Sequence, residues 1–121
     1  MDVKAMNEWV PGAIVDSSWG YDQTNRDFYM IDKVTDANVW LVPILCRIEK
    51  DNGNMSAFVV PVGEPKPIGS FELGSPGGKW DGKPIRRKLR RGTDGRVMGV
   101  AIKHGWANLW DGTPSYSSWY A

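Results

Sequence analysis

Side chains able to do covalent chemistry are few in this 121-residue chain, and they do not gather. His104 is the single histidine and Cys46 the single cysteine, and neither has the spacing to an acid or to the other that would make a nucleophile–base pair. Cys46 lies in the apolar run 39–48, where a cysteine reads as a small buried hydrophobe. No Cys/His cluster has the spacing of a zinc site, and no glycine-rich phosphate loop leads into a helix. Asp22 and Asp27 are near enough in sequence to form a carboxylate pair, yet two acids in one loop far more often cap turns than catalyse. The expectation is a protein that binds without catalysing and that uses neither metal nor cofactor.

Binding chemistry is better represented. Arg86, Arg87, Lys88, Arg90 and Arg91 are five basic residues in six consecutive positions, with Lys83, Arg96 and Lys103 nearby. Residues 1–82 carry seven Lys/Arg against twelve Asp/Glu, whereas residues 83–121 carry eight against two. The last third is therefore a candidate electrostatic face. Strand alternation would put Arg86, Lys88 and Arg90 on one side and Arg87, Leu89 and Arg91 on the other. With both sides basic, the spacing predicts a hairpin over 83–103 that projects from the body with its arginines in solvent. Arginines beside aromatic rings suit phosphate contacts and base stacking. The alternatives are a charged edge that blocks strand pairing, or docking on an acidic surface, the chain's own or a partner's.

A second segment, residues 17–29, reads Ser-Ser-Trp-Gly-Tyr-Asp-Gln-Thr-Asn-Arg-Asp-Phe-Tyr. Gly20 and Asn25 tolerate left-handed backbone, and Asp22 and Thr24 can bond their own backbone. Trp19, Tyr21, Gln23, Asp27 and Tyr29 add aromatic walls and polar groups, the ingredients of a pocket for a peptide or a nucleotide-like small molecule. The competing reading is a structural clasp in which these groups satisfy one another. A third feature is the pair Trp80-Asp81-Gly82-Lys83-Pro84 and Trp110-Asp111-Gly112-Thr113-Pro114. Each reads as a turn covered by a tryptophan; Trp110 is a candidate to pack back against the Trp19 loop, and Trp110 and Asp111 are candidate binding residues of the tail.

The 17–29 segment resembles the signature of a family of small proteins encoded by bacteriophages and other mobile elements of bacteria, and the tail from Leu109-Trp110-Asp111-Gly112-Thr113-Pro114 to Tyr120-Ala121 is similar to that family's C-terminal pattern. Arg26 and Met30 depart from it, standing where an aliphatic and a polar residue are expected. The resemblance implies a setting in the cytoplasm of a bacterial host and no chemistry. It makes a host or phage protein the first expected partner, with modulation of host machinery or defence as the role. Nucleic acid is the second.

Short apolar runs broken every 8–12 residues by turn residues must position these groups, which reads as an antiparallel β meander. Strands are expected at 13–15, 28–31, 39–48, 55–62, 85–91 and 96–103. Asp51-Asn52-Gly53-Asn54 and Gly92-Thr93-Asp94-Gly95 form hairpin turns between them. Pro43 lacks a ladder donor, so the third strand should be at an edge or bulged there. Residues 63–84 read as a long loop with at most a short strand at 68–73, and the tail from Trp106 has room for one strand. Fourteen Gly and eight Pro exclude a helical bundle. The expected fold is one all-β domain spanning 1–121, mainly antiparallel, forming a small partly open barrel or a strongly bent sheet with little or no helix. No apolar run approaches the length of a membrane span, and no leader pattern opens the chain, so the expected compartment is cytoplasmic, with no membrane partner.

Overall fold

The computed structural model describes residues 8–19, 25–53, 56–70, 72, 76–102 and 105–118. Eight antiparallel strands run β1 Ile14–Trp19, β2 Asn25–Val34, β3 Asn38–Asp51, β4 Ser56–Pro65, β5 Ile85–Arg91, β6 Val97–Ile102, β7 Gly105–Leu109 and β8 Ser115–Ser118. Among the described residues the only helical piece is a 3-10 turn at Pro76–Gly78. Six strands close into a ring in the order β2-β1-β7-β6-β5-β3, with β3 pairing back onto β2. Strands β4 and β8 are laid outside it, β4 on the C-terminal half of β3 and β8 on β4. Closure removes the edges that an open sheet of this size would expose.

Alternation along the ring strands builds two cores. Inward-facing Val15, Tyr29, Ile31, Val39, Leu41, Leu89, Val100 and Ala107 fill the barrel. Outward-facing Ile14, Phe28 and Ile44 meet Val59 and Trp110 of the outer layer, with Met30 and Val60 packed at the margin. Strands β1 and β2 are thus covered on both faces, which is why 13–15 and 28–31 read as unbroken apolar runs. Met30 is apolar because its side of β2 is covered.

Pro43 is accommodated without being at an edge. It stands opposite Tyr29 of β2. On its other side β3 changes partner, from β5 at 38–41 to β4 from Ile44 onward, with a register shift between Ile44 and Cys46. The missing N–H falls where one neighbour ends and the next begins. Its carbonyl accepts from Lys66 N at 2.9 Å.

Three expectations are corrected. The tail holds two strands, β7 and β8, because its Trp110–Thr113 turn reverses the chain between them. Cys46 is exposed, since the last seven residues of β3 run out beyond the ring. The basic hairpin does not project. Strand β5 is a stave of the barrel, paired to β3 through Asn38↔Lys88 and Trp40↔Arg86, and to β6 through Leu89↔Val100 and Arg90↔Gly99. Its inward positions are Ile85, Arg87 and Leu89, and half-buried Arg87 is tolerated because this end of the barrel interior is polar.

Candidate nucleic-acid interface

The outer layer covers only one side of the ring. The opposite wall, made by β5, β6, β7 and the start of β3, presents its outward side chains to solvent. Arg86, Lys88 and Arg90 point outward from β5 at every second position and are exposed. Spaced two residues apart on an extended strand, they repeat at about 6.7 Å. Among the described residues none of the three forms an ion pair. Trp40, opposite Arg86, is partly buried and carries the Lys33 ammonium 4.9 Å from its ring centroid, so two cations flank it from adjacent strands.

Trp106 on β7 stands opposite Ala101 and is 44% exposed. Its indole rests against Gly99, where a β-carbon would lie 2.7 Å from Nε1 and 2.6 Å from the Ala107 carbonyl oxygen. Gly99 in turn stands opposite Arg90. The wall therefore combines a line of cations with an exposed indole, the pairing of groups used for phosphate contact and base stacking.

The other basic residues of the run have different jobs. Arg91 donates from Nη1 to Gly95 O at 2.7 Å and from Nη2 to Asp36 O at 3.0 Å, tying the β5–β6 turn to the β2–β3 turn. Arg96 lies 3.9 Å from Asp94. Arg87 points inward and donates to Arg86 O at 2.8 Å. Strand alternation separates Arg87 and Arg91 from the outward set, and the sequence run does not show that division of labour.

The 17–29 segment is the β1–β2 hairpin, closed by the pair Trp19↔Asn25. Tyr21, Asp22, Gln23 and Thr24, and with them the Asp22–Asp27 pair, lie outside the described residues, as does His104. Asp27 is an anchor for the long loop, with Lys66 Nζ 3.3 Å from its carboxylate. Tyr29, read from sequence as a binding residue, is a barrel-interior residue instead, because alternation turns it inward beside Val15. Its hydroxyl donates to Glu72 Oε1 at 2.8 Å. Burial pushes the Tyr29 phenol far above its ordinary range, the nearby Glu72 and Asp27 charges push the same way, and Arg87 opposes them. Asp27 and Tyr29 thus tie Lys66 and Glu72, from the connection between β4 and β5, to β2. Ser17 completes the polar end of the barrel: it is fully buried, and its hydroxyl meets no hydrogen-bonding partner among the described residues.

Trp110 is likewise a core residue and not a surface one. It meets Phe28 edge to face at 6.3 Å, inside the outer core. The two WDGxP segments share one geometry. Trp80 Nε1 donates to Lys83 O and Trp110 Nε1 to Thr113 O, both at 2.8 Å. Asp81 accepts from Lys83 N at 3.0 Å, and Asp111 accepts from Thr113 N at 2.9 Å. Gly82 and Gly112 take φ of 87° and 86°, which is why glycine follows the aspartate in both. Asp111 is therefore a turn former.

Cys46 lies exposed on β3, near Lys66 and Asp27. Partial desolvation raises its thiol pKa, Asp27 adds to the rise, and Lys66 opposes it. Among the described residues no three His, Cys, Asp or Glu side chains group as metal ligands, and no helix is long and apolar enough to cross a membrane. An apolar groove of about 210 Å³ between β2, β3 and β4 is lined by Met30, Val42, Ile44 and Pro65.

Sequence reading missed Trp40 and Trp106. Trp40 falls inside the apolar run 39–48, which looks like core throughout. For Trp106 the signal was the alternation Trp106, Asn108 against Ala107, Leu109, visible once 105–109 is taken as a strand. Comparison with protein-family models, with curated proteins and with solved structures finds no match to this chain.

Proposed function

We propose that the protein is a non-catalytic nucleic-acid-binding protein that uses the outer wall of β5–β7 as its contact surface. The observation that carries this is the outward set Arg86, Lys88 and Arg90, lined up at regular spacing on a rigid strand and flanked by Trp40 and Trp106. Rigid strands hold such cations in register without the ordering cost of a loop. The motif resemblance supports a bacteriophage or mobile-element setting in a bacterial host, where the nucleic acid would be the macromolecule engaged. A host or phage protein, the partner that the resemblance brings forward first, is the competing reading. Among the described residues no other surface combines charge and aromatic rings in this way.

Electrostatic contact with phosphates makes the logarithm of the binding constant fall linearly with the logarithm of salt concentration, at about 0.7 per contact for a single strand. Replacing Arg86, Lys88 and Arg90 together by Ala should flatten that slope by about 2. The measurement is fluorescence anisotropy of a labelled oligonucleotide titrated at several salt concentrations. Absence of binding at low salt would refute the proposal. Equal affinity for polyglutamate with the same salt slope would refute it too, in favour of an acidic protein partner.

A further inference from the structure

The wall bears more than charge, and its geometry separates two classes of nucleic acid. Resting on the reading above, we infer that the ligand is a single strand, with one base stacked on Trp106 and its sugar–phosphate backbone running along β5.

Trp106 is held in a way that serves contact and not packing. Trp110, just past the end of β7, covers core at 4% exposure. Trp106 keeps almost half its surface in water. The absence of a side chain at Gly99 lets one edge of the indole settle on the β6 backbone, which fixes the ring without burying it. A fixed, exposed ring loses little conformational freedom when a base stacks on it. Every base has a π-face, so such a contact needs an unpaired base and tolerates any sequence.

The cations are placed to match. The Trp106 backbone is two strands from β5, but its indole edge rests over Gly99 on β6, opposite Arg90, so the ring lies about one strand spacing, roughly 5 Å, from the β5 line. An arginine side chain and a sugar together bridge that span. Along β5 the outward cations repeat at about 6.7 Å, comparable with the phosphate repeat of an extended single strand. A duplex keeps its bases stacked inside and offers Trp106 nothing but backbone.

Three arms test this. A short labelled oligothymidylate and the same length of duplex are titrated against the wild-type chain, Trp106→Ala, Trp106→Phe and the Arg86/Lys88/Arg90 triple alanine variant. Folding of each is checked by thermal melting. The single strand should bind at least tenfold more tightly than the duplex. Trp106→Ala should weaken single-strand binding by roughly 5- to 150-fold, the range that the loss of one stacked base represents, with its salt slope unchanged. Trp106→Phe should retain most of the affinity, and wild-type tryptophan fluorescence should be quenched on binding. If duplex and single strand bind equally, or folded Trp106→Ala binds as wild type does, this inference fails while electrostatic binding through β5 stands. If neither form binds at low salt, both readings fall together.

Discussion

Replacing Gly99 by Ala tests how tightly the barrel wall is built around Trp106. The new β-carbon would sit 2.6 Å from the Ala107 carbonyl oxygen and 2.7 to 2.8 Å from two atoms of the indole. The indole can move, but the carbonyl belongs to the neighbouring strand and cannot retreat without loosening the β6–β7 pairing. Overpacking of this kind costs about 1–3 kcal/mol. Gly99 also has φ of +147°, a region that a residue with a β-carbon rarely adopts, which adds a further 1–3 kcal/mol or so. A sum of about 2–6 kcal/mol is expected, which lowers Tm on the order of 8–24 °C for a domain of this size. Gly95→Ala is the control. Its φ is +80° and nothing lies within 4 Å of the added carbon, so it should lose only the backbone part, about 1–2 kcal/mol. Thermal melts followed by circular dichroism and calorimetry provide both numbers. In the Gly99→Ala, Trp106→Ala double variant the ring clash disappears and the carbonyl clash remains, so part of the loss should return. A Gly99→Ala protein no less stable than Gly95→Ala would refute the close approach and, with it, the account of how Trp106 is held.

Three further outcomes follow from the same structure. Tyr29→Phe leaves buried Glu72 without the phenol donor and should cost about 1–3 kcal/mol by denaturant titration. In the wild type the folded chain keeps the Tyr29 proton that the unfolded chain loses above about pH 10, so stability should fall as pH rises past that point, and the Phe variant should lack that part of the alkaline loss. Asp111 accepts from both the backbone and the hydroxyl of Thr113, whereas the Asp81 carboxylate holds Lys83 N, so Asp111→Ala should lower Tm more than Asp81→Ala, each at about 0.5–1.5 kcal/mol per bond lost. Alkylation of Cys46 by iodoacetamide should be slower at neutral pH than that of a free cysteine and should accelerate towards alkaline pH, because the thiol is held above its ordinary range; a faster rate than free cysteine would refute that placement.

The turn residues and short apolar runs determine the all-β character of this chain. Asn52-Gly53 and Gly92 to Gly95 end strands wherever they are read, because their conformations suit tight reversals in any surroundings. The strand cores at 28–31, 39–48 and 85–91 are likewise local properties, and the twin WDGxP segments form the same turn at two sites because Asp, Gly and the indole satisfy it from within five residues. Which face of each strand meets solvent is not local. It depends on the second layer, which covers β1 and β2 and leaves β5 to β7 bare, and that layer exists because β4 and β5 share one side of β3. Tertiary structure therefore divides the basic run into outward Arg86, Lys88 and Arg90, inward Arg87 and the Arg91 clamp, a division that composition cannot show. It also turns Tyr29 and Trp110 from candidate contacts into core, and turns Trp106 out of the core and into water, where Gly99 gives its ring a seat.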